Sequence, residues 1–184
     1  MPRIIIITGL GFGDETKGAT VDYLARQLPS SLVVRYNGGA QAAHNVTTPE
    51  NHQHCFAQFG SGTFVPGSNT FLSREMLLEP RNLLVESEFL KRAGVDNPLS
   101  RMTVSPRASI ITPFQKMVGQ IKELSRGQNR FGSCGMGIGE TALDREYGLS
   151  IEVEDFFDPV FLRCKLQEIG QRRWAEAKRI YRQF

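Results

Sequence analysis

The N-terminal third of the chain predicts an α/β fold, a mostly parallel central sheet flanked by helices. Two observations carry that prediction. The run Ile4–Ile7 within "RIIIIT" is β-branched and lacks polar alternation, as a parallel strand covered on both faces requires. It is followed by the glycine-rich stretch "GLGFGDETKG" at 9–18, an apolar helical pattern and a second apolar run, "LVVRY", from Leu32 to Tyr36. Strand, glycine loop, helix and strand in that order form a P-loop-like nucleotide-binding architecture.

The glycine loop is informative because of what it lacks as well as what it contains. Gly9, Gly11 and Gly13 allow close backbone approach, and their N–H groups can line an anion-binding concavity at a helix start. The strict G-x-x-x-x-G-K-[ST] pattern fails, because Thr16 precedes Lys17 and Gly18 follows it. The dinucleotide fingerprint fails too, since Asp14 stands where it needs glycine. A carboxylate beside polyphosphate calls for a cation or a proton between them, so Asp14 points to metal binding, proton abstraction or both. The competing reading is a merely structural tight turn.

Beyond the loop, Val21, Leu24, Ala25 and Leu28 recur at helical spacing from about Lys17 to Gln27, and Pro29 ends the run. A second glycine-bearing loop, "NGGAQAAH" at 37–44, leaves the carboxyl end of the second strand, where ligands gather in open α/β sheets. Asn37, Gly38, Gly39 and His44 are its candidate contacts, although a histidine satisfied by a backbone carbonyl is commoner than a catalytic one. Residues 47–70 read as one or two short strands with turns; His52 and His54 share a strand face there but lack a third ligand nearby, which makes them surface histidines rather than a metal pair. A helix is predicted from Pro80 to Gly94, a strand at "MTVS" before Pro106 and a helix from about Pro113 to Ser125. A third glycine-rich stretch, "FGSCGMGIGE" at 131–140, brings the small donors Ser133 and Cys134 and again suits phosphate. The last segment, from about Pro159 to Phe184, has a helical stripe that Gly170 interrupts.

Composition narrows the function classes. With 184 residues and 40% hydrophobic content the chain can bury one core, and a net charge of +3 implies no strong electrostatic partner. Arg163, Lys165, Arg172, Arg173, Lys178, Arg179 and Arg182 crowd the C-terminal segment; a solvated helix face accounts for them better than nucleic acid does. Cys55, Cys134 and Cys164 form neither a metal pair nor a disulfide framework, which indicates a reducing, cytoplasmic setting. The apolar N-terminal run is too short to span a bilayer and lacks a signal-peptide layout, so no membrane partner is expected.

Taken together, "GDETKG" at 13–18, "VVRYNGG" at 33–39 and "FGSCGMGIGE" at 131–140 resemble the "GDEGKG", "VVRYNGG" and "IGTTGRGIGP" motifs of the adenylosuccinate synthetase family, in the same order. Ser61 with Gly62, "LLVESEFLKRAGV", Ser105 and Asp144 with Arg145 extend the likeness. The resemblance implies a ligase that joins aspartate to IMP, or a related purine nucleotide, using GTP and Mg2+ through a 6-phosphoryl intermediate. It implies Asp14 as base and metal ligand and Lys17 as stabiliser of the transferring phosphoryl group. Gly39 would offer its carbonyl to the metal, and Gly13, Glu15, Thr16, Gly18, Asn37, Gly38, Ser133, Cys134 and Arg145 would bind nucleotide.

The departures are equally specific. Ala40 stands where the family places its catalytic histidine, Thr16 where it has glycine, and Met136 where it has arginine. Ser133 and Cys134 replace a threonine pair, Glu140 replaces proline, and Arg145 a lysine. Loss of a general acid costs about 10²- to 10⁴-fold in rate, so a non-catalytic nucleotide-binding or regulatory role is the alternative. The likeness covers nearly the whole chain but only the N-terminal part of the family's longer proteins. The guanine and aspartate loops therefore have no counterpart, and a homodimer or a completing polypeptide is expected. Nucleic acid is the least supported partner.

Overall fold

The computed structural model describes residues 3–182 apart from Phe12, Asp14 and Pro29. Its helices are α1 (Lys17–Gln27), α2 (Pro80–Arg92), α3 (Pro113–Ser125), α4 (Ile138–Glu146) and α5 (Pro159–Tyr181). Its strands are β1 (Leu32–Gly39), β2 (His44–Thr47), β3 (Gln53–Phe56), β4 (Asn69–Leu78), β5 (Met102–Val104), β6 (Ser109–Ile110) and β7 (Ile151–Glu152). The fold is α/β as predicted: the main sheet runs β1-β4-β6-β7 with β5 also on β4, and β2 and β3 form a separate hairpin. β4 and β6 are parallel, with Leu77 opposite Ser109, while β7 joins β6 antiparallel. By contacts the chain divides into two compact units, Met1–Arg35 with Ala42–Phe71 and Leu84–Thr103, and Tyr36–Gln41 with Leu72–Leu83 and Val104–Phe184.

In the first unit α1 packs on β2, and the hairpin pairs His44 with Phe56 and Thr47 with Gln53. The irregular segment after β3 is anchored by one carboxylate. Glu86 of α2, itself buried, accepts from the N–H groups of Ala57 at 2.9 Å, Gln58 at 2.8 Å and Phe59 at 3.3 Å. Arg101 fastens the next turn through the carbonyls of Val65 and Thr63, at 2.9 and 2.8 Å.

The predicted strand at Ile4–Ile7 is not formed. No strand is assigned to residues 3–10, and Ile4 and Ile6 are 91% and 81% exposed. A β-branched run has strand propensity, but its backbone groups become a strand only where a partner accepts them. Among the described residues no strand pairs with it. β1, by contrast, extends three residues beyond the predicted strand end, so Asn37, Gly38 and Gly39 belong to the strand and the turn falls at Ala40 and Gln41.

The second unit is organised by α3, α4 and α5. α3 starts with a capping box: the Thr112 side chain accepts from Phe114 N–H, and the Gln115 side-chain Oε1 accepts from Thr112 N–H at 3.0 Å, with Pro113 in the first turn. α5 starts on Asp158, whose carboxylate accepts from the Val160 and Phe161 N–H groups. Gly170 does not break α5. The Phe114 ring lies against it, and a β-carbon there would stand 3.1 Å from Phe114 Cζ, so helix contact explains the glycine.

A second difference from expectation concerns the basic face. Arg173 is not solvated but only 5% exposed, and its guanidinium holds the buried Asp144 carboxylate at 2.7 Å. Gln115 Nε2 donates to the same carboxylate at 2.9 Å, and Arg173 also donates to the Glu140 carbonyl at 2.8 Å and to Glu176. The spacing of charges along a helix does not show which cation meets a buried carboxylate from elsewhere. Asp144→Ala leaves that buried guanidinium with Glu176 as its remaining anion and should cost about 3 kcal/mol, the low end for a broken buried pair. Arg172→Ala, at an exposed position of the same helix, should fall within about 0.5 kcal/mol of wild type. Urea denaturation of both variants checks the contrast.

Candidate functional site

The predicted site residues fall in both units. Gly13, Glu15, Thr16, Lys17 and Gly18 lie in the first, while Asn37, Gly38, Gly39, Ser133, Cys134 and Arg145 lie in the second. Asp14, the expected base and metal ligand, lies outside the described residues.

In the first unit the glycine loop leads into α1, with Lys17 as the first helical residue. Its N-terminus is pressed onto β2. Gly18 is buried, and a β-carbon there would stand 2.9 Å from His44 Cβ and 3.3 Å from the Asn45 carbonyl oxygen, so only glycine allows the approach. The Glu15 carboxylate folds back over the loop. It accepts from Gly11 N–H at 2.5 Å and pairs with Lys17 Nζ. Bonding to Lys17 first, and then to Gly11, holds the Glu15 carboxyl below the usual range.

Thr16 caps α1 in name only. Its φ of 55° and ψ of 22° lie in the left-handed region, its side chain caps no helical N–H, and its hydroxyl instead donates to the Glu15 carbonyl at 2.7 Å. A β-branched residue in that region is strained. His44 is half-buried, and burial first, then the charges of Arg35 and Lys17, push its imidazole below its ordinary value, with Glu86 opposing. Its protonated form is thereby disfavoured in the folded chain.

In the second unit the end of β1 meets the third glycine stretch. Gly39 is buried against Ile138, while Asn37 and Gly38 are exposed, with φ 114° at Gly38. Ala40 is 7% exposed and forms an apolar cluster with Leu77 and Ile111, against which Met136, Ile138 and Ala142 pack. The two positions where the family pattern calls for histidine and arginine thus share one apolar cluster.

Ser133 and Cys134 are exposed, ahead of α4, whose N-cap is Gly137 at φ 74°. A β-carbon at Gly137 would lie 2.7 Å from Lys116 N, so the turn admits glycine alone. Two of the loop's amides are engaged by a carboxylate: Glu123 Oε1 accepts from Gly132 N–H at 2.6 Å and Ser133 N–H at 3.3 Å, while Arg126 holds its other oxygen at 2.8 Å. Burial raises the Glu123 carboxyl, but bonds from Gly132, Ser133 and Arg126 outweigh it and leave the net shift downward. Arg145 is not aimed at the loop through a free guanidinium; it pairs with Glu75, which Arg74 also holds at 2.8 Å.

Glu123 and Glu75 are residues that sequence reasoning missed. Each has a local partner, Arg126 for Glu123 and Arg74 for Glu75, but the contacts that tie them to the predicted site residues, Glu123 to Ser133 N–H and Glu75 to Arg145, come from tertiary packing. His54 also departs from the surface reading: it is half-buried against the Phe56 and Phe64 rings, with Nε2 3.5 Å from Glu86, whereas His52 is exposed. All three cysteines are free and exposed, and among the described residues no three His, Cys, Asp or Glu side chains gather as a metal site. No described helix is long and apolar enough to cross a membrane.

Two outcomes follow from this geometry. Thr16→Gly should raise stability by on the order of 1 kcal/mol, the relief of a left-handed β-branched residue less glycine's greater unfolded-state entropy, as read from the urea midpoint. His44 binds its proton more weakly folded than unfolded, so its contribution to stability is present above about pH 6.5 and is lost as pH falls below that value. Wild type should therefore lose more stability than His44→Gln between pH 7 and pH 5 in parallel denaturation series.

The family model for adenylosuccinate synthetase matches residues 6–184. The adenylosuccinate synthetase of Thermobifida fusca is 33% identical over 91% of this chain and 38% of its own length, and that of Bordetella petrii 32% identical over 92% and 38%. The fold of fully ligated adenylosuccinate synthetase from Plasmodium falciparum superposes with a TM-score of 0.77 at 18% identity, covering 92% of this chain and 42% of that one. The chain thus spans about 38% of the length of the curated relatives it matches. With the family model matched along almost its whole length and relatives a third identical, the chain belongs to the adenylosuccinate synthetase family.

Proposed function

We infer that this chain is the nucleotide-holding part of a divergent adenylosuccinate synthetase-like ligase, acting in the GTP-dependent joining of aspartate to IMP or a related purine nucleotide. One observation carries the reading: Lys17 opens α1 directly after the glycine loop, with a loop N–H and the Lys17 amine converging on a single oxyanion, the Glu15 carboxylate. Family membership supports a purine nucleotide as the ligand, and the loop has the chemistry that would receive its phosphates.

Within that reading Lys17 neutralises charge on a bound phosphoryl group and Gly18 lets α1 sit close to β2, so that the helix N-terminus is fixed. Asp14 is the proposed base and metal ligand, and Gly39 a proposed carbonyl ligand. Magnesium, when bound, would neutralise polyphosphate charge; it takes one or two carboxylates and fills its remaining positions with phosphates and water. A reducing, cytoplasmic location fits three free cysteines.

A second reading, nucleotide binding without ligation, is favoured by the Ala40 cluster. A methyl group packed with Leu77, Ile111 and Met136 donates no proton. Calorimetry with GTP and magnesium tests both readings, and no heat would remove them together. Incubation with IMP, GTP, aspartate and magnesium then separates them: aspartate-dependent phosphate release marks a ligase, and binding without release marks the second role. Ala40→His does not simply restore a donor, because the imidazole must open an apolar cluster, at about 1–3 kcal/mol. It should lower the urea midpoint whether or not turnover appears.

A further inference from the structure

The glycine loop of the first unit already holds an anion. The Glu15 carboxylate lies where Gly9 and Gly11 leave room: a β-carbon on Gly9 would run into its oxygen and into Lys17 Nζ, and one on Gly11 would stand 3.2 Å from Oε1. Its partners are Gly11 N–H and Lys17 Nζ, the two donors that a phosphoryl oxygen would require. The contact contributes nothing evident to the core. The Glu15 side chain is 22% exposed, it is followed by the strained Thr16, and its polar partners lie within four residues along the chain.

We propose that Glu15 is a specificity-determining residue of this loop: in the ligand-free chain its carboxylate fills the phosphoryl seat, and a ligand enters only by displacing it. The inference rests on the nucleotide-binding reading for the identity of the natural ligand, but the seat is defined by the loop itself. Displacement sets a threshold of charge. A monoanion gains no more from Lys17 and Gly11 than Glu15 already does, whereas a polyphosphate supplies several oxygens to the same donors. The expelled carboxylate stays nearby, and its repulsion of the incoming anion is relieved by a divalent cation. Glu15 therefore makes entry depend on a polyphosphate that arrives with magnesium.

The probe is inorganic tripolyphosphate, titrated by calorimetry into wild type, Glu15→Gln, Glu15→Ala and the distant control Glu88→Gln, first in EDTA and then with magnesium. Glu88 is an exposed carboxylate on α2, so its neutralisation changes net charge equally without touching the loop. Both Glu15 variants should bind tripolyphosphate in EDTA at least tenfold tighter than wild type, the control should not, and the added effect of magnesium should shrink in the variants. Adding Lys17→Gln to Glu15→Gln should abolish the gain. Glu15 variants that bind no tighter than wild type, or a control that gains as much, would overturn the proposal. Circular dichroism of both Glu15 variants confirms that the folded chain is being measured.

GTP with magnesium separates this inference from the functional reading. GTP binding to wild type without any gain in the Glu15 variants would refute the role of Glu15 and leave the nucleotide reading intact. A tripolyphosphate gain in the variants, with no GTP binding by any protein, would support the seat and refute the nucleotide.

Discussion

Backbone N–H groups in irregular segments must find acceptors, and in this chain carboxylates repeatedly supply them. Glu86 gathers three successive amides after β3, Glu123 holds two in the third glycine stretch, and Glu15 takes one in the first. The first of these is buried and ties a loop to a helix. Glu123, also buried, ties the third glycine stretch to α3 in the same way, whereas Glu15 lies within its own loop, whose donors are suited to phosphate. The same physical need thus serves folding in one place and leaves a ligand seat filled by the chain's own anion in another.

In the second unit, two positions that depart from the family pattern lie in one apolar environment. Ala40 and Met136 are far apart in sequence, yet both join the cluster built on Leu77 and Ile111. A histidine or an arginine at either position alone would bring an unpartnered polar group into apolar surroundings, which is costly. Two departures from the family pattern that look independent along the chain are one repacked environment in space. Charge in this unit is retained where it is paired: Asp144 with Arg173 and Gln115, Arg145 with Glu75, and Glu123 with Arg126.

Local periodicity made most helices legible. α1 and α3 begin and end where the sequence reading puts them, and α2 and α5 agree to within a few residues. β4 and α4 escaped sequence reading. β4 lacks clean alternation, because most of its positions from Leu72 to Leu78 are buried on both faces, and α4 is short and follows glycines. Ile4–Ile7 was misread for the opposite reason: its composition is that of a strand, but strand formation depends on a partner that propensity cannot provide.

By itself the sequence determined the family, the order of the three glycine stretches, the position of Lys17 at a helix start and the absence of histidine at position 40. Those are properties of residue identity and short-range spacing, which the chain carries whatever its conformation. Only the tertiary structure decided that Ala40 and Met136 share a cluster, that Arg173 is buried on Asp144 and that Arg145 is held by Glu75. Each of these joins residues brought together by packing, and the free energy that selects such partners lies in desolvation and contact, neither of which is written in local spacing.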